Sequence, residues 1–108
     1  MSQYHIYQTN AAYRFESWDN AKDKFNFSDY TKIYSGELLD GVEYRGCVIK
    51  LNQNDKKVLQ NLYVEFNFKI PEDYCGRPMS VSDIIEIVRA DGSHYYYCDR
   101  AGFVELQL

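Results

Sequence analysis

Residues 84–89 and 94–99 are two β-prone runs that flank the dipeptide Asp91-Gly92, and together they predict an antiparallel hairpin. Counting outward from this turn places three pairs of residues opposite each other: Arg89 and His94, Ile87 and Tyr96, and Ile85 and Cys98. The last two pairs make one face apolar, so we expect that face to pack against the core. The other face is mixed, with the side chains of Ile84, Glu86, Val88, Tyr95, Tyr97 and Asp99. We expect this mixed face to be half-covered or open to a partner.

One apolar stripe predicts the main helix of the chain. Four large apolar residues recur at the spacing i, i+3, i+4 and i+7, namely Leu59, Leu62, Tyr63 and Phe66, and Val58 flanks them. Asn54 or Asp55 can cap the first turn. A short helix gains most of its stability from packing, so we expect a helix at about residues 54–66 to lie on a sheet.

Further strands are predicted at 4–8, where the residues are β-prone, and at 13–18 and 104–108, where side chains of different character alternate between two faces. The polar stretch 19–24 has capping character and predicts one or two helical turns. A second hairpin is expected around Asp40-Gly41, where residues 30–39 would pair with residues 42–51. It would place Ile33 opposite Val48 and Tyr34 opposite Cys47, with bulges at Gly36 and Gly46.

These elements predict the fold class. A chain of 108 residues suits one domain, because smaller pieces would not bury a core. We therefore expect a single α+β domain over residues 1–108, in which a small antiparallel, curled β-sheet packs against one main helix.

Composition narrows the function classes. The formal net charge is −4, with acids and bases interspersed, whereas phosphate binding needs a concentrated basic stripe. Direct nucleic-acid binding is therefore disfavoured. No apolar run approaches the ~20 residues that span a bilayer. Three cysteines without a secretory signal indicate free thiols in a reducing compartment, so we expect a cytoplasmic protein with no membrane association.

No motif for catalysis or for a cofactor stands out. Cys47, Cys75, His94 and Cys98 have the composition of a zinc site, but no CxxC pair is present. Four residues apart on one strand, His94 and Cys98 would lie ~13 Å from each other, too far to share a zinc ion. No phosphate-binding loop or nucleophile elbow occurs either. We expect a non-enzyme without cofactors, and a ribonuclease-like set of His, Lys and Tyr remains an open alternative.

A contact surface is predicted around the loop at 74–79 and the neighbouring hairpin. Tyrosine and arginine are enriched among residues that dominate binding energy, and methionine adapts to varied surfaces. The predicted partner-binding residues are Tyr74, Arg77, Met79, Glu86, Tyr95 and Tyr97. An alternative stays open, in which Tyr74 and Met79 fill the end of the core while Arg77 pairs with Glu72 or Asp73.

Several segments resemble the YodL-like domain family, whose members occur chiefly in Firmicutes plasmids, conjugative elements and prophages. The matching segments are Tyr7-Gln8, Tyr13-Arg14-Phe15, IYSGEL at 33–38, Leu62-Tyr63 with Phe66-Asn67, GRPMSVSDIIEI at 76–87 and YYYCDRAGF at 95–103. The chain departs from the family pattern around residues 39–50, where it carries extra sequence.

The resemblance implies a mobile-element setting and supplies no catalytic residues. It suggests a non-enzymatic inhibitor that occupies a surface of a host defence nuclease, of the anti-CRISPR or antirestriction type. The loop 76–83 with exposed Tyr95 and Tyr97 would form the contact, and acidic Glu72, Asp73 and Glu86 would face a basic nucleic-acid channel.

Two other functions stay open. One is an interaction module for another host or mobile-element protein, with no defence role. The other is a nucleic-acid binder or nuclease that uses His94, Tyr97 and a lysine patch. A homodimer through an open sheet edge is compatible with each of them.

Overall fold

A computed structural model of the chain describes residues 2–38, 42–44, 47–49 and 55–108. Its strands are β1 (Ser2–Thr9), β2 (Tyr30–Leu38), β3 (Val42–Tyr44), β4 (Cys47–Ile49), β5 (Ile84–Arg89), β6 (Gly92–Asp99) and β7 (Gly102–Leu106). Its helices are α1 (Trp18–Ala21) and α2 (Asp55–Phe68), with a 3-10 turn at Phe27–Asp29. An open, antiparallel five-stranded sheet has the order β2-β1-β5-β6-β7, and β3 and β4 form a separate two-stranded ribbon. The fold is α+β and is dominated by its sheet.

The predicted hairpin at the sheet centre is confirmed, but its register differs by two residues. The observed pairs are Arg89 with Gly92, Ile87 with His94, and Ile85 with Tyr96. The turn is therefore Ala90-Asp91, and Gly92 begins β6 at a φ of +130°, which side-chain-bearing residues rarely adopt. A shift of two residues keeps every side chain on its face, so Ile85 and Ile87 point into the core as predicted.

One face of the sheet packs with α2. The helix contributes Val58, Leu59, Leu62 and Phe66 to a buried cluster that also contains Ile6, Ile85 and Ile87. The predicted stripe is confirmed except at Tyr63, which lies at its margin and is 36% exposed. Asn54, one of the two predicted caps, lies outside the described residues.

The other face is covered by the segment between β1 and β2. Its cluster holds Tyr13, Ala21, Ile84, Tyr97 and Leu106, and Trp18, Phe25 and Phe27 pack against it. The strand predicted at 13–18 is wrong, because these residues turn across the sheet and lead into α1. The helical turns expected at 19–24 appear slightly earlier, at Trp18–Ala21.

Strand β2 pairs with β1 and not with the residues that follow it. Tyr34 lies opposite Ile6, which joins Tyr34 to the core cluster on the α2 side. The predicted pairing of 30–39 with 42–51 is wrong, since β3 and β4 pair with each other and bring Glu43 opposite Val48 and Tyr44 opposite Cys47. Strand β2 pairs with β1 at eight positions, whereas β3 and β4 pair at three. Asp40-Gly41 and Gly46 lie outside the described residues.

The bulge in β2 falls at Ile33 rather than at Gly36. The pairing passes from Ile6–Tyr34 to Tyr7–Lys32 and leaves Ile33 as the extra residue. Gly36 instead makes room for the ring of Tyr4, because a Cβ atom at this position would lie 2.5 Å from it.

Truncating the helix at its buried face should be costly. Phe66 is fully buried, whereas Phe68 on the same helix is 81% exposed. We expect Phe66→Ala to lower the free energy of unfolding by about 3–5 kcal/mol. The matched variant Phe68→Ala should change it by no more than about 0.5 kcal/mol. Urea denaturation measures both, and equal losses would contradict this assignment of the helix face.

Candidate protein-contact site

A single buried amide, that of Gln8 at the end of β1, holds the loop that precedes β5. Its Nε2 lies 2.9 Å from the carbonyl oxygen of Arg77, 3.0 Å from Oδ2 of Asp83 and 3.2 Å from the hydroxyl of Tyr74, and its two N–H groups are shared among these three acceptors. Its Oε1 accepts a hydrogen bond from the backbone N–H of Arg77 at 3.0 Å. The loop is therefore fixed to the sheet and is not a free surface segment.

Asp83 is the fully buried acid at the centre of this network. Its Oδ2 also accepts the backbone N–H of Ser80 at 2.8 Å, and its Oδ1 lies 3.8 Å from Nη2 of Arg77. Burial raises the pKa of Asp83 to about 7, although the hydrogen bonds from Ser80 and Gln8 and the charge of Arg77 act in the opposite direction. The carboxyl group therefore titrates near neutral pH.

Two residues with strained backbones meet beside Asp83. Ser82 and Phe15 have φ values of +85° and +69°, and among the described residues they are the non-glycine residues with positive φ. The backbone N–H of Phe15 donates to Oγ of Ser82 at 3.1 Å. The hydroxyl of Tyr30 donates to the carbonyl oxygen of Ser82 at 2.6 Å. Conformations of this kind cost about 1–3 kcal/mol each and persist where the surrounding contacts fix them.

These contacts present an aromatic ring flanked by two guanidinium groups. The Phe15 residue is 45% exposed, and the guanidinium carbons of Arg14 and Arg77 lie 5.0 Å and 5.3 Å from its ring centroid. Both separations suit cation–π attraction. Arg77 is oriented by hydrogen bonds to Oδ1 of Asn10 and to the carbonyl oxygen of Thr9, each 3.0 Å long. We call Arg14, Phe15 and Arg77 the Arg–Phe–Arg patch.

An open groove of about 490 Å³ adjoins the patch. It is lined by Gln8, Asn10, Ala11, Asp29, Thr31, Ile33, Cys75, Gly76 and Arg77. Gly76 allows the loop to approach the sheet, since a Cβ atom there would lie 2.3 Å from Cδ1 of Ile33 and 2.8 Å from Oε1 of Gln8. The groove is lined by charged groups of both signs, the guanidinium of Arg77 and the carboxylate of Asp29.

The six predicted partner-binding residues divide into two groups. Arg77 and Tyr95 are partly exposed, whereas the other four are buried: Tyr74, Met79, Glu86 and Tyr97. The expected exposure of Tyr97 is wrong, because the rings of Trp18 and Phe25 cover it and its hydroxyl donates to the carbonyl oxygen of Glu16 at 2.7 Å. The role of the six in partner binding stays a prediction.

Tyr74 and Met79 belong to the core cluster on the α2 side, which confirms the alternative that they fill the end of the core. Arg77 lies near Asp83 rather than pairing with Glu72 or Asp73 as that alternative proposed. Glu86 accepts a hydrogen bond from the hydroxyl of Tyr7 at 2.7 Å. Burial of Glu86 opposes its ionisation, but hydrogen bonds from Ser93 and Tyr7 outweigh that effect and lower its pKa.

His94 has carboxylate neighbours, and the thiol of Cys98 is buried. His94 lies at the β5–β6 turn, with Nε2 3.1 Å from Oδ1 of Asp91 and Nδ1 3.5 Å from Oε2 of Glu105. Burial raises the pKa of the Cys98 thiol to about 12, so that group stays protonated. In the part of the chain that the structure describes, no three His, Cys, Asp or Glu side chains are grouped to hold a metal ion. No helix within it is long and apolar enough to cross a membrane.

Comparison with known proteins gives one match. The family model described as the YodL-like domain matches residues 3–108. The chain belongs to the YodL-like domain family. No curated protein and no solved structure gives a match. The matched range includes both segments that build the Arg–Phe–Arg patch of this YodL-like domain, Tyr13-Arg14-Phe15 and Gly76-Arg77-Pro78.

Sequence reasoning did not select Arg14 and Phe15 as site residues. Both lie in a segment predicted as a strand, where Arg14 and Phe15 would have pointed to opposite faces of a sheet. The only signal that marked them was the resemblance of Tyr13-Arg14-Phe15 to the family, and that signal does not say which side chains are exposed.

Asp83 should make the stability of this YodL-like domain depend on pH. Its pKa rises from the ordinary 3.8 to about 7 on folding, so between these values the folded state keeps a proton that the unfolded chain releases. The bound proton's contribution to the free energy of unfolding is present in full below about pH 4. As the pH rises towards about 7, this contribution falls by as much as about 4 kcal/mol.

The variant Asp83→Asn tests this dependence, because it removes the titrating group. We expect the unfolding free energy of the wild type, measured relative to the variant in urea, to decrease between about pH 4 and about pH 7. A difference that stays constant over this range would show that Asp83 does not titrate as described.

Phe15 offers a test of backbone strain. Glycine adopts positive φ freely, whereas alanine keeps the steric cost. We expect Phe15→Gly to be more stable than Phe15→Ala by about 1–2 kcal/mol in urea denaturation. The opposite order, which is usual at ordinary loop and strand positions, would contradict the left-handed conformation of this residue.

Proposed function

We propose that this YodL-like domain is a non-enzymatic protein-binding module that contacts its partner through the Arg–Phe–Arg patch. The observation that carries the proposal is the half-exposed ring of Phe15, held at positive φ between two guanidinium groups. A strained, exposed aromatic residue has no role in the core. Strain of this kind clusters at functional sites, where the surrounding structure compensates for it.

The composition of the patch favours a protein partner. Arginine and large aromatic residues are over-represented among the residues that dominate binding energy at protein interfaces. Arg77 is already oriented by Asn10 and Thr9, so little side-chain entropy is lost when it binds. A partner that offers carboxylates around an apolar depression would match this arrangement in both charge and shape.

In its specific form, the proposal is that the partner is a host defence nuclease, either a CRISPR effector or a restriction enzyme, and that binding inhibits it in the cytoplasm. The mobile-element setting implied by the family supports this reading. Nucleases that use metal ions hold them with carboxylates, which are suitable partners for paired arginines. Glu72 and Asp73 are exposed and remain able to face a basic channel, whereas Glu86 is buried.

A second candidate is binding of single-stranded nucleic acid. An exposed phenylalanine flanked by arginines can stack on a base and contact the backbone phosphates. The net charge of −4 and the carboxylate of Asp29 in the adjoining groove act against this function. An interaction module without a defence role would use the same patch and would differ only in its partner.

The experiment compares inhibition by the wild-type domain and by patch variants. A purified CRISPR effector or restriction enzyme that the domain binds is assayed for DNA cleavage. We expect Arg14→Glu combined with Phe15→Gly to weaken inhibition at least about tenfold, since this reverses one charge and removes the exposed ring without touching the buried network. The matched control Phe68→Ala lies on α2 and should inhibit like the wild type.

Three other outcomes would count against the proposal. DNA cleavage that continues at a saturating concentration of the domain would show that the domain is not an inhibitor of that nuclease. Equal inhibition by the double variant and the wild type would show that the Arg–Phe–Arg patch is not the contact surface. Salt-sensitive retention of single-stranded DNA by the isolated domain, lost in the same variant, would favour the nucleic-acid candidate.

A further inference from the structure

The two edges of the five-stranded sheet differ in how they are protected. Natural edge strands resist unwanted pairing by means of bulges, lysines and prolines. Strand β2 carries the bulge at Ile33 and has Lys32 beside it. Strand β7, with the sequence GFVEL, has no bulge, lysine or proline, and its pairing with β6 runs without a shift from Gly102 to Leu106.

Strand β7 is open for pairing on its outer side. It pairs with β6, and no other strand in the described ranges lies next to it. In an antiparallel strand, alternate residues direct their N–H and C=O groups away from the neighbour they pair with. A row of backbone donors and acceptors therefore runs along this edge, which is the arrangement that an added strand uses.

An apolar groove lies between α2 and the β6–β7 turn, and it reaches the open edge at Gly102 and Phe103. It consists of two adjoining cavities of about 360 and 300 Å³, which share Gln60, Gly102 and Phe103. Tyr63 and Val64 on α2, which line the larger cavity, are 36% and 53% exposed. Apolar side chains that project from a strand added to β7 would enter this space.

The charges at the groove favour an acidic occupant. Lys56 lines the smaller cavity and Arg100 lines the larger one, and both are exposed. Two carboxylates lie on this side as well, and both have partners. Oδ1 of Asp99 accepts the backbone N–H groups of Trp18 at 3.3 Å and Arg100 at 2.8 Å, and Oε2 of Glu105, which lies opposite Tyr96 on β7, is 3.5 Å from Nδ1 of His94. Basic residues in both cavities are notable in a chain whose net charge is −4.

We propose that β7 and the groove beside α2 bind an extended segment of a partner protein, which pairs with β7 as an added strand. Its alternate apolar side chains enter the groove, and acidic residues that flank them meet Lys56 and Arg100. The inference is independent of the Arg–Phe–Arg patch, because it involves a different edge of the sheet and none of the patch residues.

The test uses a blocked peptide of the sequence Glu-Thr-Val-Thr-Val-Thr-Glu, in which the valines and the flanking glutamates project from the same face of the strand. Its binding to the full chain is followed by the amide chemical shifts of the protein. We expect the shifts to change along β7 and on the Tyr63 side of α2. A peptide with N-methyl groups on alternate residues cannot complete the strand pairing and should bind at least about tenfold more weakly.

Charge reversal supplies the matched control. The variant with Lys56→Glu and Arg100→Glu should bind the acidic peptide about tenfold more weakly and should prefer the peptide in which both glutamates are replaced by lysines. Both substitutions are on exposed side chains, so the shift spectrum of the free variant should otherwise stay that of the folded wild type.

Each alternative result would overturn the proposal. Absence of binding at millimolar peptide, or equal affinity for the N-methylated peptide, excludes strand addition at β7. Equal affinity of the charge-reversed variant excludes the acidic occupant. A dimer in sedimentation equilibrium whose interface maps to β7 would assign the edge to a second copy of the chain.

Discussion

The burial of one carboxylate, that of Asp83, is the constraint on which the fold and the candidate site both depend. A buried acid is costly unless its oxygens are hydrogen-bonded or paired. This chain provides a buried amide from Gln8, a backbone N–H from Ser80 and the nearby guanidinium of Arg77. Gln8 is the penultimate residue of β1 and Asp83 immediately precedes β5, and these strands are neighbours in the sheet. Oδ2 takes the hydrogen bonds from Gln8 and Ser80, whereas Oδ1 lies 3.8 Å from Nη2 of Arg77 and has no hydrogen-bond partner among the described residues, so burial still raises the pKa of this group. These contacts hold the loop across the end of the sheet, with Arg77 beside Asp83.

The parts of the fold that sequence predicts well are those set by local patterns. The apolar faces of Ile85, Ile87 and the helical stripe appear where periodicity puts them, because one misplaced residue would expose a whole face. Contacts between segments that are far apart in the sequence cannot be predicted from such local patterns. The pairing of β2 with β1 and the layer of rings over Tyr97 depend on segments far apart in sequence, which only tertiary packing brings together.

In the candidate site too, some features could be predicted from local sequence and others depend on long-range contacts. Arg77 is predicted as a contact residue because arginine is enriched at binding surfaces and because it lies in the loop at 74–79, and it is partly exposed. Phe15 is not predicted as one, because its neighbours alternate like a strand and nothing in the sequence signals a positive φ at a phenylalanine. Its conformation follows from the hydrogen bond to Ser82, a residue 67 positions away. A site of this kind arises from contact between two segments, so neither segment alone reveals it.

Photo-crosslinking from position 15 identifies the molecules that touch the exposed ring of Phe15 in a host cell. Benzoylphenylalanine would replace Phe15, and the same group in place of the exposed Phe68 would serve as the reference. The account predicts a single protein adduct from position 15 that is absent from position 68. Adducts to nucleic acid, or the same weak adducts from both positions, would contradict it.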